Sequence, residues 1–341
     1  MGEMNILFTS AGRRVVLLRS FRAALQDLGL HGSICVSDLK KNAPALHEAD
    51  QFDLVPPIHD PGYISALEAI CRKRKIKLLI PLVDHELHLL SQHRQRFEDF
   101  GTQILISSPE TTALTLDKKH TGAFFTSVGV GTPKIFDIEA TLRDPKVRFP
   151  LLIKPSNGSS SIGVNRVDDL GELRFYRSHT RNAILQEFIT GQEYTLDVLV
   201  DFHGKVRSVV PRLRIETRAG EVSKGITVKD QDIIAAGIKV VEQLPGARGC
   251  ITVQCFKTPE GSIQFIEINP RFGGGFPLAD QAGAHFPRWI LQWLSGQDPQ
   301  IKLDGWQAGL AMLRFDDAVF VTHEALHEHT HPQPHEQKRA A

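Results

Sequence analysis

The chain lacks a charge excess of either sign. Its 40 Lys and Arg nearly cancel 39 Asp and Glu, for a net charge of +1. That balance argues against a nucleic-acid footprint and against a membrane-surface protein. Long apolar runs are also missing. None approaches the roughly 20 residues of a membrane span, and the N-terminus has no apolar signal-peptide stretch. Cysteine is scarce: Cys35, Cys71, Cys250 and Cys255 are scattered, with no C-x-x-C pair. Most of them sit in apolar contexts and read as core residues, so a reducing cytoplasm is the expected location. There is no internal repeat, no G-x-G-x-x-G, and no Gly-Lys-Ser/Thr phosphate loop. A Ser-His-Asp or Cys-His nucleophile set is absent too, so the chemistry must come from elsewhere.

A length of 341 residues allows two or three domains. In the first hundred residues strands alternate with helices. Asn5–Thr9 reads as a strand, Ser10–Arg14 as a turn, and Val15–Leu28 as a helix. Strands follow near Ser33–Asp38, Asp53–Val55, Leu78–Pro81 and Gln103–Ile106, with helices over Ile64–Lys73 and Glu86–Phe97. That order predicts an open parallel sheet with helices on both faces. Ligands collect beyond the carboxyl ends of such strands, which makes Arg13, Arg14, Asp84 and Glu86 candidate substrate contacts.

The pattern changes after Ser108. A helix opens at Asp117-Lys118 and covers Thr121–Val128. Strand-like flanks, 151–154 and 164–167, then enclose a glycine- and serine-rich loop, Ser156 to Gly163. Backbone N–H groups of such a loop can wrap phosphate oxygens, and Lys154 delivers a cation to its mouth. A strand at Ile184–Ile189 follows, then hairpins at 194–211 and 251–268 flanking a helix at Ile233–Gln243, and a helix at Trp289–Leu294. Glu187, Phe188 and Ile189 form an extended apolar segment suited to an adenine, with Glu193 placed for ribose hydroxyls.

The most informative stretch is Phe265-Ile266-Glu267-Ile268-Asn269-Pro270-Arg271, followed by Phe272 and Gly273–Gly275. Strand alternation puts Glu267 and Asn269 on one face, with Arg271 just beyond. A carboxylate and an amide oxygen suit Mg²⁺, and a guanidinium fork suits phosphate or carboxylate. Further upstream, Arg212, Arg214, Glu216 and Arg218 alternate on one strand face. Such guanidiniums suit a site that gathers a carboxylate and a phosphoryl group.

Lys118, Lys154 with its Ser-Gly loop, Glu187 to Ile189 with Glu193, Gln254, and Glu267-Ile268-Asn269-Pro270-Arg271 occur in that order. Together they resemble the ATP-grasp superfamily, and within it the carbamoyl phosphate synthetase large-subunit type. The resemblance covers about residues 1–320. It implies an α/β protein: an ATP-grasp fold preceded by a Rossmann-like parallel-sheet domain. The expected divisions are residues 1–112 for that domain, 113–190 for a lid with the loop, 191–325 for a C-terminal subdomain with the metal site, and 326–341 for a disordered His-rich tail.

The resemblance also implies roles. Lys118 and Lys154 would contact ATP phosphates under a loop containing Ser156, Gly158, Ser159, Ser160, Ser161 and Gly163. Glu187, Phe188 and Ile189 would hold adenine, and Glu193 ribose. Glu267, Asn269 and Gln254 would serve Mg²⁺, or Mn²⁺ in its place. A carboxylate is frequent in the family where this chain has Gln254, which leaves one or two metal ions open. Arg271 would stabilise the transferred phosphoryl; separately, the alternation that puts Arg212 and Arg214 on one strand face makes them, with Arg271, the expected frame of the accepting carboxylate. The implied activity is ATP-dependent joining of a carboxylate and an amine, both small and amino-acid-like, through an acyl phosphate. A kinase on this fold and an ATP-binding regulator are the alternatives. Carbamoyl phosphate synthesis is not expected from a single half, and no nucleic-acid or membrane partner is expected. A homodimer is compatible with the sequence.

Overall fold

The computed structural model describes residues 3–144, 146–157 and 163–327. The described residues build three sheets. The first is five-stranded and parallel: β1 (Asn5–Thr9), β2 (Ile34–Asp38), β3 (Gln51–Leu54), β4 (Ile76–Pro81) and β5 (Gln103–Ile104), ordered β3-β2-β1-β4-β5. β1 lies in the middle and is buried along its whole length, as a strand covered on both faces must be. The region expected as one helix over Glu86–Phe97 is two, Asp84–Gln92 and Arg94–Glu98.

The second sheet is small and four-stranded. β6 (Ile135–Phe136), β7 (Leu151–Pro155), β8 (Asn165–Val167) and β9 (Ala183–Glu187) run in the order β6-β9-β7-β8. β7 and β8, which flank the Ser-Gly loop, pair antiparallel as expected. β9 stops at Glu187, opposite Leu151, so Phe188 and Ile189 lie beyond its last ladder pair.

The third sheet carries the site. β10 (Gln192–Val200), β11 (Val206–Arg218), β12 (Glu221–Thr227), β13 (Gly249–Lys257), β14 (Ile263–Asn269) and β15 (Ala311–Leu313) follow the order β14-β13-β10-β11-β12-β15. β11 runs seven residues past the expected hairpin strand, which ended at Pro211. Its alternating charges are therefore ladder residues. One face of the sheet is apolar. Leu196, Val198, Val209, Ile251, Val253 and Ile268 are buried there, with Ile233, Ile234, Val240 and Val241 of the helix Gln231–Glu242 in the same core cluster. Asp230 caps that helix by accepting from the N–H groups of Asp232 and Ile233. With that face closed, the polar side chains of the alternation turn the other way, into a cleft.

A run of buried phenylalanines joins the first sheet to the third. Phe8 meets Phe21 edge-on at 5.2 Å, Phe21 meets Phe272 at 5.8 Å, and Phe272 meets Phe276 at 4.7 Å. Edge-to-face pairs of this kind contribute about 0.5–1.5 kcal/mol each beyond their burial. They hold the turn after β14 in fixed relation to β1 and the helix Val15–Asp27. No helix among the described residues is long and apolar enough to cross a membrane.

Candidate functional site

A cleft of about 700 Å³ lies against the polar face of the third sheet, under the second sheet and beside the first. The register of the third sheet explains its floor. Glu267 stands opposite Gln254, Gln254 opposite Thr195, and Thr195 opposite Arg212. This is one cross-strand row over four strands. Asn269, Thr252 and Asp197 form the next row. A bulge between Gln254 and Cys255 sets Cys255 opposite Phe265 and leaves Ile266 unpaired. Ile266 lines the cleft with Glu267. The expected shared face of Glu267 and Asn269 is therefore present, with Gln254 between strands.

Two lysines meet this floor. Lys154 at the end of β7 is buried, and among the described residues no carboxylate lies within ion-pair distance of it. Burial lowers its pKa to about 8; neighbouring Lys118 adds to the shift and Glu267 opposes it. Lys118 lines the same cleft and begins the helix Lys118–Ser127, three residues earlier than expected. Of the Ser-Gly loop, Ser156 is buried and donates its hydroxyl to Asp117 at 2.6 Å, which pins the loop's start to a helix cap. Asn157, not among the expected contacts, lines the cleft, whereas Gly163 does not. Gly158, Ser159, Ser160 and Ser161 lie outside the described residues, as does the tail from residue 328.

At the other end of β7 and β9, Glu187, Phe188 and Ile189 line the cleft with Leu152 and Phe256. Gln186 adds a buried amide oxygen without a hydrogen-bond partner. An apolar slot with an unmet acceptor fits a purine carrying an exocyclic amine. Glu193 sits between this slot and Glu267. Burial raises its pKa and Glu267 adds to the rise, while Arg214, 3.0 Å away, pulls the other way.

The far end of the cleft is built from charges supplied by separate parts of the chain. Arg271 donates to Asp84 at 2.6 Å, so an N-terminal carboxylate meets a residue just after β14. Arg271 Nε and Asp84 Oδ1 are both buried without partners. Arg212 is 1% exposed and forks onto Asp197 at 2.6 and 3.1 Å, leaving its Nη1 unpartnered. Arg14 meets Glu221 at 3.2 Å. Side chains on Gly274 and Gly275 would collide with Nη1 of Arg14 and of Arg212, so the glycines admit both guanidiniums.

Several expectations are corrected here. Glu86 is no substrate contact. It is fully buried and accepts from Tyr63 and Ser10 hydroxyls and from the N–H groups of Leu82 and Val83. Burial raises its pKa, and its work is to tie the first turn to the strand β4. Arg218 and Glu216 do not share the site of Arg212. Register shifts around Glu216 redirect them, and they pair with Asp316 and Lys224 on the exposed surface. Arg214 is engaged by Glu193 and by the Gly220 carbonyl. Glu221 and Thr252 carried no sequence signal. Glu221 follows an ordinary two-residue turn, and Thr252 reads as a strand residue.

The donor set suits Mg²⁺ in a particular way. Among the described residues no cluster of three or more His, Cys, Asp or Glu side chains could hold a metal. Glu267 with two amides, Asn269 and Gln254, instead provides an incomplete oxygen set. Mg²⁺ is commonly held by one or two carboxylates, with substrate phosphates and waters completing the shell. The residues fit a metal that arrives with a nucleotide.

Residues 6–105 match a family described as PylC-like, N-terminal domain, and residues 179–317 match one described as ATP-grasp in the biosynthetic pathway with Ter operon. The chain thus carries a PylC-like N-terminal domain followed by a segment that matches an ATP-grasp family. It is 24% identical to the 3-methyl-D-ornithine–L-lysine ligase of Methanosarcina acetivorans over 77% of this chain and 66% of that one. It is 22% identical to a carbamoyl-phosphate synthase of Methanobrevibacter smithii over 70% of this chain and 68% of that one. A D-alanine–D-alanine ligase of Stutzerimonas stutzeri is 26% identical over 50% of this chain and 58% of its own. Among solved structures, the biotin carboxylase domain of Hydrogenobacter thermophilus 2-oxoglutarate carboxylase superposes with a TM-score of 0.72 at 17% identity, covering 91% of this chain and 74% of that one. The L-amino acid ligase of Bacillus licheniformis gives 0.65 at 19% identity over 86% and 74%. These likenesses agree with the expected α/β fold and with the family suggested by the motif order.

Proposed function

We propose that the protein is an ATP-dependent carboxylate–amine ligase working through an acyl phosphate. One observation carries the reading. A single cleft joins an adenine-sized slot, two lysines and an oxygen donor set to a far end walled by paired guanidiniums and carboxylates. In the reaction a substrate carboxylate oxygen attacks the γ-phosphorus and ADP leaves. The amine nitrogen then attacks the acyl carbon, phosphate leaves, and the ammonium protons pass to solvent. Mg²⁺, when bound, would be held by Glu267 and Asn269 beside Gln254 and would neutralise phosphate oxygens. Lys118 and Lys154 hold the phosphates from the lid side. Arg271 and Arg212, whose unused N–H groups lie in the wall, orient the accepting carboxylate and the moving phosphoryl. No side-chain nucleophile is required, so the residues act by positioning and by charge. The amino-acid ligases among the relatives support an amino-acid-like pair of substrates.

The test is ADP release against a panel of amino acids, carboxylates and amines, with mass spectrometry of the products. Release that needs a carboxylate and an amine together supports the ligase. Release with a hydroxyl compound alone would make it a kinase, and nucleotide binding with no release a regulator.

Lys154 adds a pH dependence. Its ammonium is lost in the free protein as pH rises through about 8, while the nucleotide's phosphates are already fully charged above about pH 7. ATP affinity therefore falls from pH 7 to pH 9, by about tenfold at pH 9. Lys154→Arg, with a guanidinium that stays charged, flattens the profile. Equal slopes for the two proteins in a calorimetric titration would remove Lys154 from phosphate binding.

A further inference from the structure

The charge around Glu221 is unbalanced. Three guanidiniums converge on this one carboxylate: Arg14 at 3.2 Å, Arg314 at 3.4 Å and Arg13 at 3.6 Å. None of the three meets a second carboxylate among the described residues. Two positive charges are therefore left without a balancing negative one, near Arg271, which is already engaged by Asp84. Tying the N-terminal turn to β12 would need one ion pair. Arg13 is 76% exposed and largely screened by water, whereas Arg14 and the less exposed Arg314 repel in a partly desolvated place, where charges interact more strongly.

Arg14 bears most of this. Its side chain is 20% exposed, it lines the cleft, and the Nη1 edge lies against Gly274, where no side chain intervenes. Its contact with Glu221 is an ion pair at moderate distance, and no directed hydrogen bond from its guanidinium is formed among the described residues. The fork is held in orientation with N–H groups to spare. Burial lowers its pKa, and Arg271, Arg314 and Arg13 push the same way against Glu221. An incoming anion would relieve all of these at once. Glu221 is presented by the turn at Ala219 and Gly220, both at positive φ, and it acts as the brace that holds Arg14 at the cleft wall.

We propose that Arg14, braced by Glu221 and backed by Arg13 and Arg314, is a subsite for a second carboxylate, so that one co-substrate is a dicarboxylic acid or an acidic amino acid. The carboxylate to be phosphorylated lies at Arg271, next to the metal set, and the second one reaches Arg14. The proposal rests on the ligase reading only for which group reacts.

The experiment is calorimetry on the full chain with Mg²⁺ and a non-hydrolysable ATP analogue. The probes are succinate, glutarate, adipate and L- and D-glutamate, set against the monocarboxylates butyrate and valerate. At least one dicarboxylate should bind ten times more tightly than its monocarboxylate match. Arg14→Met should weaken that ligand by about ten- to a hundredfold, the loss of a charge-assisted fork, and leave the monocarboxylates and the analogue unchanged. Arg314→Ala, at a more exposed position, should reproduce part of the loss if Arg14→Met unfolds. Equal binding of mono- and dicarboxylates by the unaltered protein, or no binding by any of them, overturns the subsite. So does a variant that loses the analogue and keeps the dicarboxylate preference, since Arg14 would then serve phosphate. A dicarboxylate preference without amine-dependent ADP release would sink the ligase reading and leave the subsite standing.

Discussion

Glu267→Gln will leave the protein folded and lower ADP formation by about a hundred- to a thousandfold, the usual scale for removing one electrostatic contact to developing charge. Its partners on the sheet explain the size. The residue opposite is Gln254, an amide, and the next donor is Asn269, also an amide. The nearby carboxylate of Glu193 is already paired with Arg214. On the proposed reading Glu267 is the negative charge that would hold the metal, and glutamine keeps the shape while removing the charge. Its side chain is half-buried at the cleft wall and makes no ion pair among the described residues, so stability should move by less than about 0.5 kcal/mol. Thermal unfolding and ADP release at ordinary Mg²⁺ are the two measurements. Activity near that of the unaltered protein would take Glu267 out of the mechanism, and a collapsed melting temperature would make it structural.

Arg212→Met will destabilise the fold by about 3–5 kcal/mol, the cost of leaving a buried carboxylate alone. Arg212 is among the largest fully buried side chains of the described residues, and its fork pairs with Asp197, which is itself 0% exposed. Burial already pushes the Asp197 carboxyl up, against the pull of Arg212. Without the guanidinium it rises further. A group whose folded pKa is raised loses stability as pH climbs from its unfolded value toward the folded one. The variant should therefore lag behind the parent more at pH 7 than at pH 5 in urea unfolding. A second change, Asp197→Leu with Arg212→Met, should recover most of the stability, because replacing a buried ion pair with apolar groups is often neutral. Activity should stay low in that double variant, since the unpartnered Nη1 beside Gly275 is gone. Full activity in a stable double variant would confine Arg212 to a structural role.

Much of this protein is legible without coordinates, for local reasons. Period-two alternation put Glu267 and Asn269 on one face, and the bulge at Gln254 and Cys255 did not disturb them because it falls on the far side of Glu267. The strand–helix alternation of the first hundred residues allows little but a parallel sheet. The Ser-Gly loop between strand-like flanks marked β7 and β8 as an antiparallel pair, because a loop that short cannot make a parallel crossover. What the alternation of Arg212 to Arg218 could not tell is which charges stay inside. The register shifts about Glu216, together with an Asp197 two residues along the neighbouring strand, bury Arg212 and send Arg218 to the surface.

The amino-acid sequence by itself determined the periodicities, the order of the motifs and the chemistry available at each position. Those depend on neighbours within a few residues, where the chain geometry is fixed by the peptide unit. Only the tertiary structure decided which charges meet. Asp84 joins Arg271 across 187 positions, and Arg14, just before the first helix, joins Glu221 at the start of β12. An ion pair leaves no periodic trace in either segment, since its energy depends on distance in space and on how much water is excluded. The far end of the cleft, the proposed acceptor side, is made almost wholly of such pairs.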